Sequence, residues 1–528
     1  MSRSISVSHI SLLFLHRFNF KVTNMQISGD DLRLIFGVKL KQLRQEKGYT
    51  LKDVAAKSHV SFSYLSEIEQ GRKYPKPEKI IEIAKALDIS FDELVSTQSD
   101  DALNPLTALL DSPLLREFPF EFFGIAPREI VDLITHSPQE AGALIRTFLE
   151  IGKTYDMRVE HFLLAALRSY QKMHQNYFDD LENAATQFMH EQRWKIAPPL
   201  SLDRLKAALT SEYNYVLDET TLKGYPELQR FRSIWIDGKP ARLLLNPKLL
   251  PAQKAFILGR EIGYRYLGLK ERAVTSSWLK VDSFEQVLNN YKASYFAGAL
   301  FINRDLLQKD LAEFLGNKRW EGGKFLALMK RYDATPEMFL YRLSQLVPRL
   351  FGLQEMFYLR FNNEAGSDIF RLTKELNMSR MLVPHGIGLN EHYCRRWLSI
   401  NLLKELARQQ KAGKSKTPLV ASQRSRFLES DAEFFVITLA RSLALTEGTN
   451  SSISLGFLIN DTFKKTVRFW DDPAVPRVEV NETCERCGLA ETQCRDRVAP
   501  PAIYRKQQEQ KTRESVLQQL VHEMKKYK

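Results

Sequence analysis

Between Gly37 and Ser96 apolar residues recur at helical spacing and are interrupted by short polar turns, a pattern that predicts five short helices. Thr50-Leu-Lys-Asp53 has the form of a capping box and starts a helix through Lys57. Ser58-His59-Val60 makes a tight turn, and Ser61 caps a second helix that ends at Gly71. Val54, Ala55, Val60, Leu65 and Ile68 fall where the two helices must pack on each other, whereas Phe62, Ser63, Ser66 and Glu67 face away. Helix, short turn, helix, with a free outward face, is an arrangement that a DNA groove can accept.

Further along, Thr97 to Pro105 is polar and acidic and reads as a linker, and Ser137-Pro-Gln-Glu140 reads as a helix start. Met157 to Trp194 is helical over many turns. Strand-like segments follow at Tyr213–Asp218 and Phe231–Asn246, the latter with an Asp237-Gly238 hairpin turn, and lead into a helix over Pro251–Leu267. WEGGKFLALMKRYDATPEMFLYRLSQL offers two more helices with a turn at Asp333-Ala334-Thr335. From Met356 the pattern changes to strand candidates at Met356–Asn362, Glu433–Arg441, Ser452–Asn460, Val467–Trp470 and Val475–Val480, with a helix over Cys394–Gln410. The expected fold is multidomain, mainly α and then α/β. Residues 1–29 form a disordered extension, 30–96 an all-α helix-turn-helix domain, and 97–110 a linker. Residues 111–350 form a helical middle domain, 351–500 an α/β domain, and 501–528 a basic helical tail. Met25 is a second candidate start, because periodic structure begins only near Asp30.

With 528 residues, 44% of them hydrophobic and 26% charged, the chain can bury a core and has room for about three or four domains. No uncharged apolar run approaches the roughly 18–20 residues that span a bilayer, which speaks against a membrane protein. The run Ile10–Leu15 is cut by His16 and Arg17 without a small-residue cleavage site, a poor signal peptide. Three of the four cysteines crowd into Cys484, Cys487 and Cys494, which suggests ligation in a reducing cytosol rather than disulfides, so a cytoplasmic location is expected. The net charge of +13 suits a polyanionic partner. Its distribution weakens that inference: Gly37–Ser96 carries 11 Lys plus Arg against 9 Asp plus Glu, whereas Arg495–Lys528 carries 9 against 4.

The segment GYTLKDVAAKSHVSFSYLSEIEQGRKYP resembles the phage Cro/C1-type (XRE-family) helix-turn-helix of bacterial repressors, whose fold is lambda-repressor-like. The resemblance makes Ser61 to Glu67 the recognition helix, with Phe62, Ser63 and Glu67 at base-reading positions and Thr50, Gln70, Arg72 and Lys73 near phosphates. The chemistry fits: Ser63 can bond a base edge, Glu67 can accept from a cytosine amino group, and Phe62 can touch a thymine methyl. The family's internal Arg and Glu pair falls on Arg44 and Glu69, and His59 stands where the family usually has glycine. The implied partner is double-stranded DNA, bound by a homodimer.

FILGREIGYRYLGL resembles the HExxH-bearing helix of the zincin-like ImmA/IrrE metallopeptidase family. Zinc there needs two imidazoles at i and i+4, and these places hold Arg260 and Tyr264; Lys292 is the counterpart of the third ligand, and only Glu261 remains of the catalytic set. No zinc and no hydrolysis are therefore expected at this helix, and the protein reads as a non-enzyme. The alternative is an ImmA-type regulator that acts by contact with, or cleavage of, a repressor. A partner in toxin–antitoxin or phage-immunity systems is a third reading.

CERCGLAETQC places Cys484 and Cys487 close enough to share one metal, with Cys494 beyond, and Cys394 in HYCRRW can complete four thiolates. Such a set suits zinc or an iron–sulfur cluster, with His385 and His392 as reserve ligands. Lys411-Ala-Gly-Lys-Ser-Lys-Thr lacks the frame of a phosphate loop and reads as a solvated loop. Cys394, Trp397 and CERCGLAETQCRDRVAPP, after the two N-terminal modules, resemble the short-chain fatty acyl transcriptional regulators, although the Cys487–Cys494 spacing is longer than that family's. This resemblance implies a GAF-like α/β sensor for a small-molecule effector of the acyl-CoA class and control of short-chain acyl or glyoxylate metabolism.

Overall fold

The structure, a computed structural model, describes residues 29–95, 119–125, 147, 150–152, 159–275, 283–379, 391–414, 418–428, 430 and 432–526. The expected linker 97–110, the helix start at Ser137 and His385 lie outside the described residues, as does nearly all of the N-terminal extension. The chain divides into two compact units, residues 1–158 and 159–528.

The first unit contains the five expected helices: α1 (Gly29–Glu46), α2 (Leu51–Ser58), α3 (Phe62–Glu69), α4 (Pro77–Leu87) and α5 (Phe91–Val95). α1 begins earlier than the apolar pattern suggested. The Thr50 side chain accepts from the Asp53 backbone N–H while Asp53 accepts from that of Thr50, so α2 starts with two otherwise orphaned donors satisfied. His59 closes α2 in the left-handed region at φ 52°, where the family's glycine would be easier, and Ser61 Oγ caps α3 by accepting from Tyr64 N–H. Leu40, Val54, Leu65, Ile68, Ile83 and Leu87 are completely buried, each contributing about 1.5–3 kcal/mol relative to exposure. Ala55, expected in the core, is only partly covered. α1 passes so close to the end of α3 that a Cβ on Gly37 would overlap the Ile68 carbonyl oxygen.

In the second unit, the long helical stretch Met157–Trp194 is broken into α6 (Val159–Met173) and α7 (Asp179–Glu191). The break has a polar cause. Asn176 takes positive φ and is fully buried, accepting from Gln171 and Tyr291 and donating to Ser344. After α8 (Leu202–Ser211) come β1 (Tyr215–Asp218), β2 (Ser233–Ile236) and β3 (Ala241–Leu245), a sheet in the order β1-β3-β2. β2 and β3 form the expected hairpin, and β1 lies parallel to β3. α9 (Pro251–Tyr266) packs closely on α10 (Phe284–Phe301), because Gly259 and Gly263 leave room for the Phe301 and Phe296 rings. α11 (Arg304–Leu315) and α12 (Gly322–Arg331) follow, then a turn with Asp333 at positive φ, and then α13 (Pro336–Phe351), capped by Thr335.

The C-terminal part holds β4 (Met356–Glu364), β5 (Phe370–Asn377), α14 (Leu398–Lys411), β6 (Leu419–Phe427), β7 (Glu433–Ser442), β8 (Thr449–Leu458), α15 (Asp461–Thr466), β9 (Arg477–Val480) and α16 (Ala502–Lys526). Its sheet has the order β5-β4-β8-β7-β6-β9, antiparallel except where β9 runs beside β6. β5 and β6 escaped the sequence reading because they carry polar residues at buried or edge positions, such as Ser422, Gln423 and Ser425. Val467–Trp470 is a turn rather than a strand; Val467 and Phe469 are apolar because they enter the core, not because the backbone is extended. Residues read as a middle domain and a sensor contribute to one core, in which Leu343 and Leu346 of α13 join Tyr358 of β4 and Phe435 of β7. No described helix is long and apolar enough to cross a membrane.

Gly37→Ala is expected to destabilise the N-terminal unit by about 1–3 kcal/mol through overpacking. Gly323→Ala, where a Cβ meets nothing within 4 Å, should leave stability unchanged or higher. Chemical denaturation of the two variants provides the comparison.

Candidate nucleic-acid interface and cysteine-bearing loops

α3 is positioned from beneath by its buried residues Leu65 and Ile68 and from the side by a bidentate ion pair. Arg44 Nε and Nη2 meet the two oxygens of Glu69 at 2.6 and 2.9 Å, and Arg44 Nη1 also donates to the Tyr49 carbonyl. Both partners of this pair are largely shielded, with side chains 11% and 6% exposed, so it joins α1 to α3 rather than decorating the surface.

The opposite face of α3 is open. Phe62 is 51% exposed, and Ser61 and Ser63 are exposed beside it with their hydroxyls 3.3 Å apart. An aromatic ring left in water at the start of a helix has no role in this unit's core. Glu67 and Lys73, assigned to base and phosphate respectively, are paired at 2.7 Å, and Glu67 raises the Lys73 ammonium above its usual range. Gln70 donates to Ser66, and Arg72 stands exposed at the end of the same turn. Thr50 is engaged in its cap on α2.

A family model described as Helix-turn-helix matches residues 40–94. An uncharacterised HTH-type transcriptional regulator, y4dJ, of Sinorhizobium fredii is 42% identical over 66 residues, which are 12% of this chain and 86% of the relative. The chain belongs to the HTH-type transcriptional regulators. The HTH-type transcriptional regulator SinR of Bacillus subtilis is 36% identical over 75 residues, 13% of this chain and 68% of SinR. The transcriptional regulator ClgR of Mycobacterium tuberculosis is 41% identical over 58 residues, 11% of this chain, which spans only 52% of ClgR. A solved structure titled Mycobacterium tuberculosis transcriptional regulator overlays 63% of this chain and 92% of its own with a TM-score of 0.43 and 17% identity.

In this HTH-type regulator the helix read as the HExxH frame is α9, and its residues are committed elsewhere. Glu261 is fully buried and paired with Arg272 at 2.8 Å, and the Arg272 guanidinium lies 4.2 Å from the Trp235 ring and 4.1 Å from that of Tyr264. Arg260 is a lesser neighbour of Glu261 at 3.9 Å, so the principal partner of Glu261 is Arg272. The residue of α10 that meets both Arg260 and Tyr264 is Asn290, at 3.4 Å from each, not Lys292. A guanidinium, a phenol and an amide around an ion-paired carboxylate do not fit zinc.

The cysteines are gathered by backbone. Cys394 N–H donates to the Glu482 carbonyl and Cys484 N–H to that of His392, so two distant segments run side by side there. All four thiols are free and buried, and burial, with Cys487 and Cys484 close by, pushes the Cys394 thiol up to about 11. As a donor set, buried clustered thiols suit a thiophilic metal. Among the described residues, however, no three His, Cys, Asp or Glu side chains are placed to hold an ion. His392, a reserve ligand in the sequence reading, is bonded through Nδ1 to Glu485 at 2.8 Å.

Glu261→Gln strands the buried Arg272 without its counter-charge and should cost about 3–5 kcal/mol. A denaturation midpoint equal to wild type would show that this pair is not what organises α9.

Proposed function

We propose that this regulator binds operator DNA as a homodimer and places α3 in the major groove, with Phe62, Ser63 and Glu67 toward base edges and Thr50, Gln70, Arg72 and Lys73 toward phosphates. The observation that carries this reading is the solvent-exposed Phe62 beside Ser61 and Ser63 on the only face of α3 that the core leaves free. The near-neutral charge of the unit means that specificity rests on placed residues more than on general attraction to phosphate. Lys73 is exposed and Glu67 only half-buried, so their ion pair is worth little and can open when DNA arrives.

The HTH-type relatives named above align with 11–13% of this chain, and the role of the larger unit is inferred from composition and resemblance. The larger unit is proposed to sense a small effector of the short-chain acyl-CoA class and to bias the dimer between DNA-competent and incompetent arrangements. The support is the residue pattern around Cys394, Trp397 and the last three cysteines. Cys394, Cys484, Cys487 and Cys494 are proposed to hold zinc or an iron–sulfur cluster, for which the thiols would have to draw closer than they stand here, where no three are placed to hold an ion.

Gel shifts with a genomic operator should show Phe62→Ala and Ser63→Ala each losing about 1–3 kcal/mol of specific affinity, with relaxed sequence preference. Lys73→Ala should instead weaken binding to all sequences and reduce the salt slope by about 1. Protein purified without oxygen should contain metal that Cys484→Ser removes, and the visible spectrum distinguishes cluster from zinc. Metal-free wild-type protein would refute the cysteine site and leave the DNA reading untouched.

A further inference from the structure

Between α9, α10 and α13 on one side and β4, β5 and β7 on the other lies a cavity of about 230 Å³. Its wall is cationic. Among the described lining residues, Arg260, Arg360, Lys374 and Arg441 face a single carboxylate, Glu337. Arg342 also lines the cavity but is already neutralised by Glu182. Arg232 lines it as well and keeps part of its surface in solvent.

Glu337 is spoken for. It meets Arg441 at 2.7 Å and Arg360 at 3.6 Å, and although burial alone would raise its carboxyl, these cations hold it at about 2. Arg260 makes only long contacts to Asn290 at 3.4 Å and Ser233 at 3.5 Å, and its buried Nε has no hydrogen-bond partner. The carboxylate nearest to Arg260, Glu261, belongs to Arg272. Lys374 lies 3.3 Å from the Tyr341 ring, an aromatic face that offers attraction but no counter-charge. Although solvent reaches Lys374, its enclosure by the protein and then Arg360 and Arg232 push its ammonium down to about 7, with Glu337 opposing.

We propose that this cavity binds a compact polyanion, a small metabolite bearing phosphate or carboxylate groups, between Arg260, Arg360, Lys374 and Arg441. Guanidinium forks match the geometry of either oxyanion. The volume lies below the ~300–1,000 Å³ of pockets for drug-sized ligands, which favours a small molecule. Gln253 and Ser294 supply neutral hydrogen-bonding groups, and Tyr341 and Tyr358 an aromatic wall. The bound anion would draw α13 and the sheet together through cations that now repel one another. This inference rests on neither the DNA-binding reading nor the acyl-CoA resemblance.

Calorimetric titration of the full chain with sulfate, inorganic phosphate and citrate tests it without any operator present. Saturable binding of at least one probe is expected, weakened about tenfold or more in Arg260→Gln and in Lys374→Met. Phosphate tighter than citrate points to a phosphate-bearing ligand, and the reverse to a carboxylate metabolite. Sulfate does not titrate near neutrality. Its affinity should be full below the Lys374 transition and fall as pH rises from 6 to 8.5, a dependence lost in Lys374→Met. Removing one of several mutually repelling cations should not lower the melting temperature of anion-free Lys374→Met, which keeps the variant interpretable. Absence of saturable binding for all three anions, or equal affinity in wild type and both variants, overturns the proposal.

Discussion

A fully buried guanidinium sits at the centre of the larger unit, and its neutralisation fixes where three helices can lie. Arg342 of α13 meets both oxygens of Glu182 on α7 at 2.7 and 2.8 Å and donates Nε to the Ile302 carbonyl at the end of α10. Tyr295 adds its hydroxyl to Glu182 at 2.7 Å. An unpaired charge at such depth costs several kcal/mol, so these groups cannot separate and remain folded. With α13 pinned in this way, its first turn presents Glu337 to Arg441 of β7 and Arg360 of β4. Helices and sheet are therefore joined by charge as well as by the apolar core, and the cationic cavity is a consequence of that joint.

The N-terminal unit reaches the same end with less material. One shielded pair, Arg44 with Glu69, and the close approach at Gly37 orient α3, so its other face is free of structural duty. With that face free, a nearly neutral unit still presents Phe62, Ser61 and Ser63 to solvent. Solvated groups such as Glu67 and Lys73 form pairs that cost little to break, whereas the shielded pair does not yield.

At α9 the balance is different. Arg260 and Tyr264 flank Glu261 on one helix, and this carboxylate neutralises Arg272 from the following loop. The ion pair holds the loop against the three-stranded sheet, with Arg272 stacked on Trp235 of β2.

What the sequence determined by itself was local. The capping box at Thr50, the turn at His59, the helix-turn-helix spacing, the hairpin at Asp237-Gly238 and the frame of α9 were legible because each depends on residues a few positions apart. Tertiary structure alone decided the rest. It broke the long helix at Asn176, whose partners Tyr291 and Ser344 lie more than a hundred residues away. It placed β5 and β6, whose polar residues conceal strand periodicity, and turned Val467–Trp470 from a strand candidate into a core-filling turn. It also gave Glu261 its partner Arg272, set Asn290 against Arg260 and Tyr264, and brought Arg260, Arg360, Lys374 and Arg441 around one space. Short-range hydrogen bonding and periodicity are written along the chain, whereas the neutralisation of a buried charge depends on whichever distant residue the fold delivers.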